Sequence, residues 1–180
     1  MRNRSTTRTL LTAALLSLAA GLAQAAATPE ITVKEYMAAL QKDGMVAVSR
    51  FLHPDELKRF KEMLLPMFRK DAAAKSEAIR GIYGPEATLA SVEAMPPTEF
   101  MDGFMRLAGE QLSGATFGDA EVLGKVSEND VVHVVTRAAT KIKEIQIKTV
   151  TVVSTKKSGA DWKLMLTGEL EGLATALSSQ

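Results

Sequence analysis

The strongest constraint on the fold is the spacing of four β-patterned runs in the second half of the chain: 116–126, 130–141, 144–156 and 161–167. They are joined by Ser127-Glu128-Asn129-Asp130, Lys141-Ile142-Lys143 and Lys157-Ser158-Gly159-Ala160. A parallel pair needs a crossover of about a dozen residues or more, and none of these connections reaches that length. The runs are therefore predicted to pair antiparallel in sequence order. The middle strands are long, which implies a curved and strongly twisted sheet.

Ahead of the strands the apolar period is helical. Thr28-Pro29 and Thr32-x-x-Glu35 are helix-start signals, and Val33, Tyr36, Met37 and Leu40 fall on one face. Gly44 ends that helix, and Val48, Phe51 and Leu52 suggest a short second one. His53-Pro54-Asp55-Glu56 starts a third, with acids where the helix dipole favours them. Its stripe is Leu57, Phe60, Leu64, Met67 and Phe68, and Pro66 is expected to kink or end it. Thr98 is expected to cap a fourth helix that buries Phe100, Phe104 and Leu107. Residues 70–97 are hard to read, with breakers at Gly81, Gly84-Pro85 and Pro96-Pro97. Helices followed by an antiparallel meander define an α+β plan: N-terminal helices packed on a curved four-stranded antiparallel sheet.

The first 25 residues read as an address rather than as fold. Arg2, Arg4 and Arg8 precede an apolar run from Leu10 to Leu22, and Ala23-Gln24-Ala25 fits a small-x-small cleavage site. The run is about 13 residues, short of the roughly 20 that a membrane span needs. The expectation is a cleaved signal peptide at 1–25, a periplasmic product, and one domain over 26–180 with no membrane span. Three of the 22 basic residues lie in this leader, which leaves 19 against 21 acidic ones. A slightly acidic product does not suit a nucleic-acid partner, because neutralising phosphates takes a basic face. The chain has no cysteine, which excludes a disulfide scaffold, a thiol nucleophile and a Cys-ligated metal.

Several segments together resemble the nuclear transport factor two-like superfamily, the cone-shaped α+β fold also called cystatin-like or ketosteroid-isomerase-like. They are PEITVKEYMAALQKDGMVAVSRFLHPDELKRF, DVVHVVTRA, and IKEIQIKTVTVVSTKKSGADWKLML with its Gly-x-x-Trp-Lys-Leu ending. The resemblance covers roughly residues 29–168 and implies a pocket between the concave sheet face and the helices. It does not fix a chemistry, because the superfamily includes isomerases, hydratases, association domains and exported proteins without a known role.

Parity sorts the residues facing that pocket. Val132, Val134, Thr136, Ala138, Thr140 and Ile142 form one set, and Ile145, Ile147, Thr149, Thr151, Val153 and Thr155 another, both free of titratable groups. Burying an unpaired charge is costly, so these sets are expected to face the helices. The expected pocket wall is Tyr36, Thr136, Ile147, Thr149 and Trp162, suited to a small apolar ligand. That wall has no inward carboxylate, His or Lys for general acid–base work. The sequence therefore points to a non-catalytic binding or interaction module. The alternative is a small-molecule lyase, isomerase or hydrolase using His133 as base, with Arg137 orienting an anion. His53 and His133 lie far apart and make a poor metal site, and no cofactor is expected. On the outer sheet face Val131, Val135, Val150, Val152 and Met165 sit among His133, Arg137, Gln146 and Lys148. An apolar centre with a polar rim predicts a homodimer through that face.

Overall fold

The computed structural model describes residues 27–74, 77–112 and 114–178. The expected leader at 1–25 lies outside the described residues. Helix α1 (Pro29–Asp43) leads into a 3-10 turn at Gly44–Ala47, then α2 (Val48–Phe51) and α3 (Pro54–Ala73). Two short helices, α4 (Ala78–Tyr83) and α5 (Leu89–Ala94), precede α6 (Pro97–Gln111). Four strands follow, β1 (Ala115–Glu128), β2 (Val131–Ile142), β3 (Ile145–Ser158) and β4 (Asp161–Leu164), and α7 (Gly168–Ser178) comes last. The strands form one open antiparallel sheet in the order β1-β2-β3-β4. The protein is thus an α+β fold with helices packed on a four-stranded antiparallel meander.

Local signals explain the helix ends. The Thr28 side chain accepts the Ile31 N–H at 3.3 Å, and Gly44 takes φ +71° beyond the last turn. Thr32 is buried inside the first turn instead of capping it. His53 caps α3: its Nδ1 accepts the Asp55 N–H at 3.2 Å, and its Nε2 lies 3.3 Å from the Lys157 carbonyl. Together these bonds fit the Nε2–H tautomer. Helix α3 runs through Pro66 to Ala73, so the proline does not end it. Phe68 lies beyond that proline and is fully buried, with ring centroids 5.8 Å from Tyr83 and 5.7 Å from Phe100. Packing of that face offsets the lost N–H. Helix α6 starts at Pro97, so Thr98 sits in its first turn and not at its cap.

The three hairpins turn on two residues each, with Asn129 at φ +54°, Lys143 at +53° and Gly159 at +64°. Such turns match the right-handed twist of the flanking strands. The β2–β3 register is unbroken from Val131↔Lys156 to Ile142↔Ile145, so parity holds along both strands. The irregularities are in β1, between Phe117 and Ala120 and between Val122 and Gly124. Gly118 occupies the first of them, where an added Cβ would lie 3.0 Å from the Ala139 carbonyl oxygen. Val132, Val134, Thr136, Val153 and Thr155 are buried against the helices, as their parity requires. The core continues into an aromatic cluster of Phe60, Phe68, Phe100 and Phe104 between α3 and α6.

Candidate functional site

The helices cover only part of the sheet. Beyond Val153 towards the β2–β3 turn, the inner-facing Thr151, Thr149, Ile147 and Ile145 of β3 are exposed. Where cover gives out there is a cavity of about 530 Å3. Tyr36, Met37 and Leu40 line it from α1, Phe117 from β1, Ala138 and Thr140 from β2, and Thr149 to Val153 from β3. Thr167, Gly168 and Glu169, at the start of α7, close one side. Nothing in the apolar pattern of the strands points to this helix as part of the wall.

Chemically the cavity is an apolar box with hydroxyl groups. The Tyr36 ring packs edge-on against Phe51 at 5.6 Å, and burial pushes its phenol up to about 12. Its hydroxyl is therefore a neutral donor at ordinary pH. Glu169 is the one carboxylate of the lining. Hydrogen bonds from its own backbone N–H and the Thr167 hydroxyl hold it below the usual carboxylate range. It therefore sits at the rim as a self-capped anion at the start of α7.

Of the residues expected in the wall, Tyr36 and Thr149 line this cavity, and Thr136, Ile147 and Trp162 do not. Thr136 is fully buried in the core with its hydroxyl 3.0 Å from Thr151 Oγ1, so a neighbouring side chain already occupies it. Ile147 lies past the helices towards the turn. Trp162 is half-buried at the far end of the sheet, with Lys157 Nζ 5.6 Å from its ring. Alternation gave the correct side of the sheet for these residues but could not tell how far along it the helices reach. Met37, Leu40 and Phe117 also line the cavity, and their apolar character on the α1 face and in the first β run is the sequence signal for them.

His133 and Arg137 are on the other face. The residues flanking His133, Val132 and Val134, are the buried ones. His133 Nδ1 is 2.9 Å from Ser154 Oγ, its cross-strand partner, and Nε2 is 3.4 Å from a Glu128 carboxylate oxygen. Arg137 pairs with Glu121 at 3.3 Å and lines a hollow of about 540 Å3 with Asp119, Glu121, Gln146 and Lys148. The Ser154–His133–Glu128 row has the residue types of a hydrolytic triad. It lies on an open sheet surface, however, with the Glu128 carboxylate 72% exposed to solvent, and is not set in a cleft that would hold a substrate against it.

A wider groove of about 740 Å3 runs between α2 and α6, and several of its polar groups pair with one another or with backbone. Arg50 meets Asp43 at 2.6 Å, Ser49 donates to Asp102, and Arg106 donates to the Ile82 carbonyl at 2.6 Å. Among the described residues no three His, Cys, Asp or Glu side chains converge as metal ligands, and no helix is long and apolar enough to cross a membrane. Comparison with known protein families, with curated proteins and with solved structures gave no match.

Proposed function

We propose that the chain is an exported periplasmic binding module of the nuclear transport factor two-like type, which holds a small apolar ligand without transforming it. The observation that carries this reading is the cavity under α1: about 530 Å3, within the roughly 300–1,000 Å3 of small-molecule sites, with apolar walls and a few hydroxyls. The ligand suited to it has an apolar body and one or two hydrogen-bonding groups, within reach of Tyr36 and of Thr140, Thr149 or Thr151. A catalytic base is not provided, since the wall holds no His, Lys or Asp and its one carboxylate caps a helix at the rim. The lyase, isomerase or hydrolase reading needs His133 inside this cavity, and His133 is on the opposite face.

The test is titration of the purified protein with a fluorescent apolar probe, alongside Ala138→Phe, which fills the cavity from β2. Ala138 is only half-buried, so the larger side chain is tolerated by the fold. Binding by the parent protein and a loss of about tenfold or more in the variant supports the reading. Equal affinity in both contradicts it. A second reading, that the module is a homodimer through the outer sheet surface, is favoured by the exposure of Val126, Val150 and Val152 there. A Val150→Glu variant that keeps the parent's solution mass contradicts it.

A further inference from the structure

Strand β3 has an open edge. β4 pairs only with Thr155–Ser158, and the Met165 N–H extends that pairing by one bond, to the Ser154 carbonyl at 2.8 Å. From Ile145 to Val153 the β4 side of the strand is unpaired. Because Ser154 directs its peptide groups to that side, period-two alternation directs those of Gln146, Lys148, Val150 and Val152 there too. Among the described residues none of these four finds a backbone partner across the edge. The other sheet edges are protected. β1 carries two register shifts and the charged Asp119, Glu121, Lys125 and Glu128, and β4 is met on its far side by Leu52 and His53. The β3 edge has no bulge and one charged residue, Lys148.

The inner face beside this edge is also unusual. Ile145 is 67% exposed and Ile147 44%, on the same face as the cavity wall formed by Thr149, Thr151 and Val153. On the outer face Val150 and Val152 are 60% and 56% exposed. The free window from Gln146 to Val152 is symmetric about Thr149. An antiparallel copy of the same strand centred there uses every free group: Gln146 meets Val152, and Lys148 meets Val150. Thr149 then faces Thr149, Ile147 faces Thr151, and Ile145 faces Val153. The strand lengths also match, since the β2–β3 turn of one copy stops where β4 of the other begins.

We propose that two copies of the chain join edge to edge along β3, about a two-fold axis at Thr149, so that Ile145 and Ile147 of each copy complete the open wall of the other's cavity. The proposal rests on the two-copy part of the homodimer reading above and sets an edge contact in place of its face contact. It accounts for the exposure of Ile145 and Ile147 and for the four unpaired residues of the edge, and it makes the binding site a product of the dimer. The symmetric contact is self-complementary, as a closed dimer requires. Its one opposing element is Lys148, which lies diagonal to its own copy. Association therefore strengthens with added salt and in Lys148→Gln, and weakening in either case counts against this register.

The chain contains no cysteine, so one introduced thiol reports one contact. Thr149 and Arg137 are both exposed, so Cys at either position leaves the core intact. At a pair without direct hydrogen bonds the Cα atoms lie about 4.5 Å apart, within disulfide reach. Under mild oxidation Thr149→Cys forms a covalent dimer of twice the chain mass, whereas Arg137→Cys, one strand inward on the outer face, does not. Val150→Pro removes an outward N–H without touching the β2–β3 ladder, and it halves the native mass of the parent protein. A native dimer that cross-links through Arg137→Cys and not through Thr149→Cys overturns the edge contact and leaves a face dimer. A parent protein that stays monomeric at tens of micromolar overturns the dimer reading and the edge contact together.

Discussion

Lys61 is a buried cation within the helical layer, and its removal gives a sharp test of how residues 70–97 are held. It is 8% exposed on α3, and its ammonium donates to the Glu93 carbonyl at 2.7 Å and the Met95 carbonyl at 2.5 Å, with the Phe100 ring 5.8 Å away. These carbonyls end α5, so one side chain ties the C-terminus of that helix to α3. Lys61→Met keeps the apolar stem and removes the charge. Two bonds from a charged donor are worth about 1.5–3 kcal/mol each, offset by the relieved desolvation of the ammonium and by water reaching the freed carbonyls. The net expected loss is about 2–3 kcal/mol, or about 5–10 °C in Tm for a chain of this size. The assay is urea denaturation followed by far-UV circular dichroism and by the fluorescence of Trp162. The control is Lys58→Met, whose ammonium is exposed and 3.8 Å from Glu62, and which is expected to lose under about 0.5 kcal/mol. A Lys61→Met protein within about 0.5 kcal/mol of the parent, or more stable than it, refutes the argument, since replacing a buried charge with an apolar group stabilises where the charge is poorly paired.

Two further predictions concern the tyrosines. Gly103→Ala places a Cβ 2.4 Å from Tyr83 Cε1, in a ring fixed against Phe100 at 5.5 Å and bonded to the Phe100 carbonyl at 3.2 Å. The ring has to move, and a loss of about 1–3 kcal/mol in urea denaturation is expected; no change would mean that the α4–α6 contact is loose. Burial raises the Tyr36 phenol to about 12 and pushes Tyr83 up as well, so the fold favours the neutral form of both. That stability is fully present below the unfolded value of about 10 and is lost as pH rises through the folded values. Phenolate absorbance should therefore be nearly absent from the folded protein at about pH 10.5 and appear together with unfolding. Normal titration of both rings in the folded state would contradict the burial of Tyr36 beside the cavity.

The sheet was legible because its signals are local. Alternation and short connections placed β1, β2 and β3 to within about two residues, since a hairpin turn at Asn129-Asp130 or Gly159-Ala160 needs no distant partner. β4 ends at Leu164 and not near 167, because the chain leaves the edge there to bury Leu166 and begin α7. The helices α4 and α5 were not legible, since six residues carry too little of a 3.6-residue period and their stability comes from tertiary contacts such as that of Lys61. The Thr88–Ser91 capping box was the one local clue to α5. The candidate site was half legible. Parity assigned Thr149 to the inner face, but where α1 and α7 stop covering the sheet is a property of packing, and it separates Thr149 at the cavity from Ile147 beyond it.

The most direct test of the binding reading is native mass spectrometry of the purified protein, with the denatured mass as reference and Ala138→Phe as comparison. The account predicts a chain shortened by the 1–25 leader that carries an added small mass in the native spectrum, with that mass lost from the variant. A native mass equal to the bare chain or its bare multiple, or an added mass retained undiminished by Ala138→Phe, would contradict a ligand in the cavity under α1.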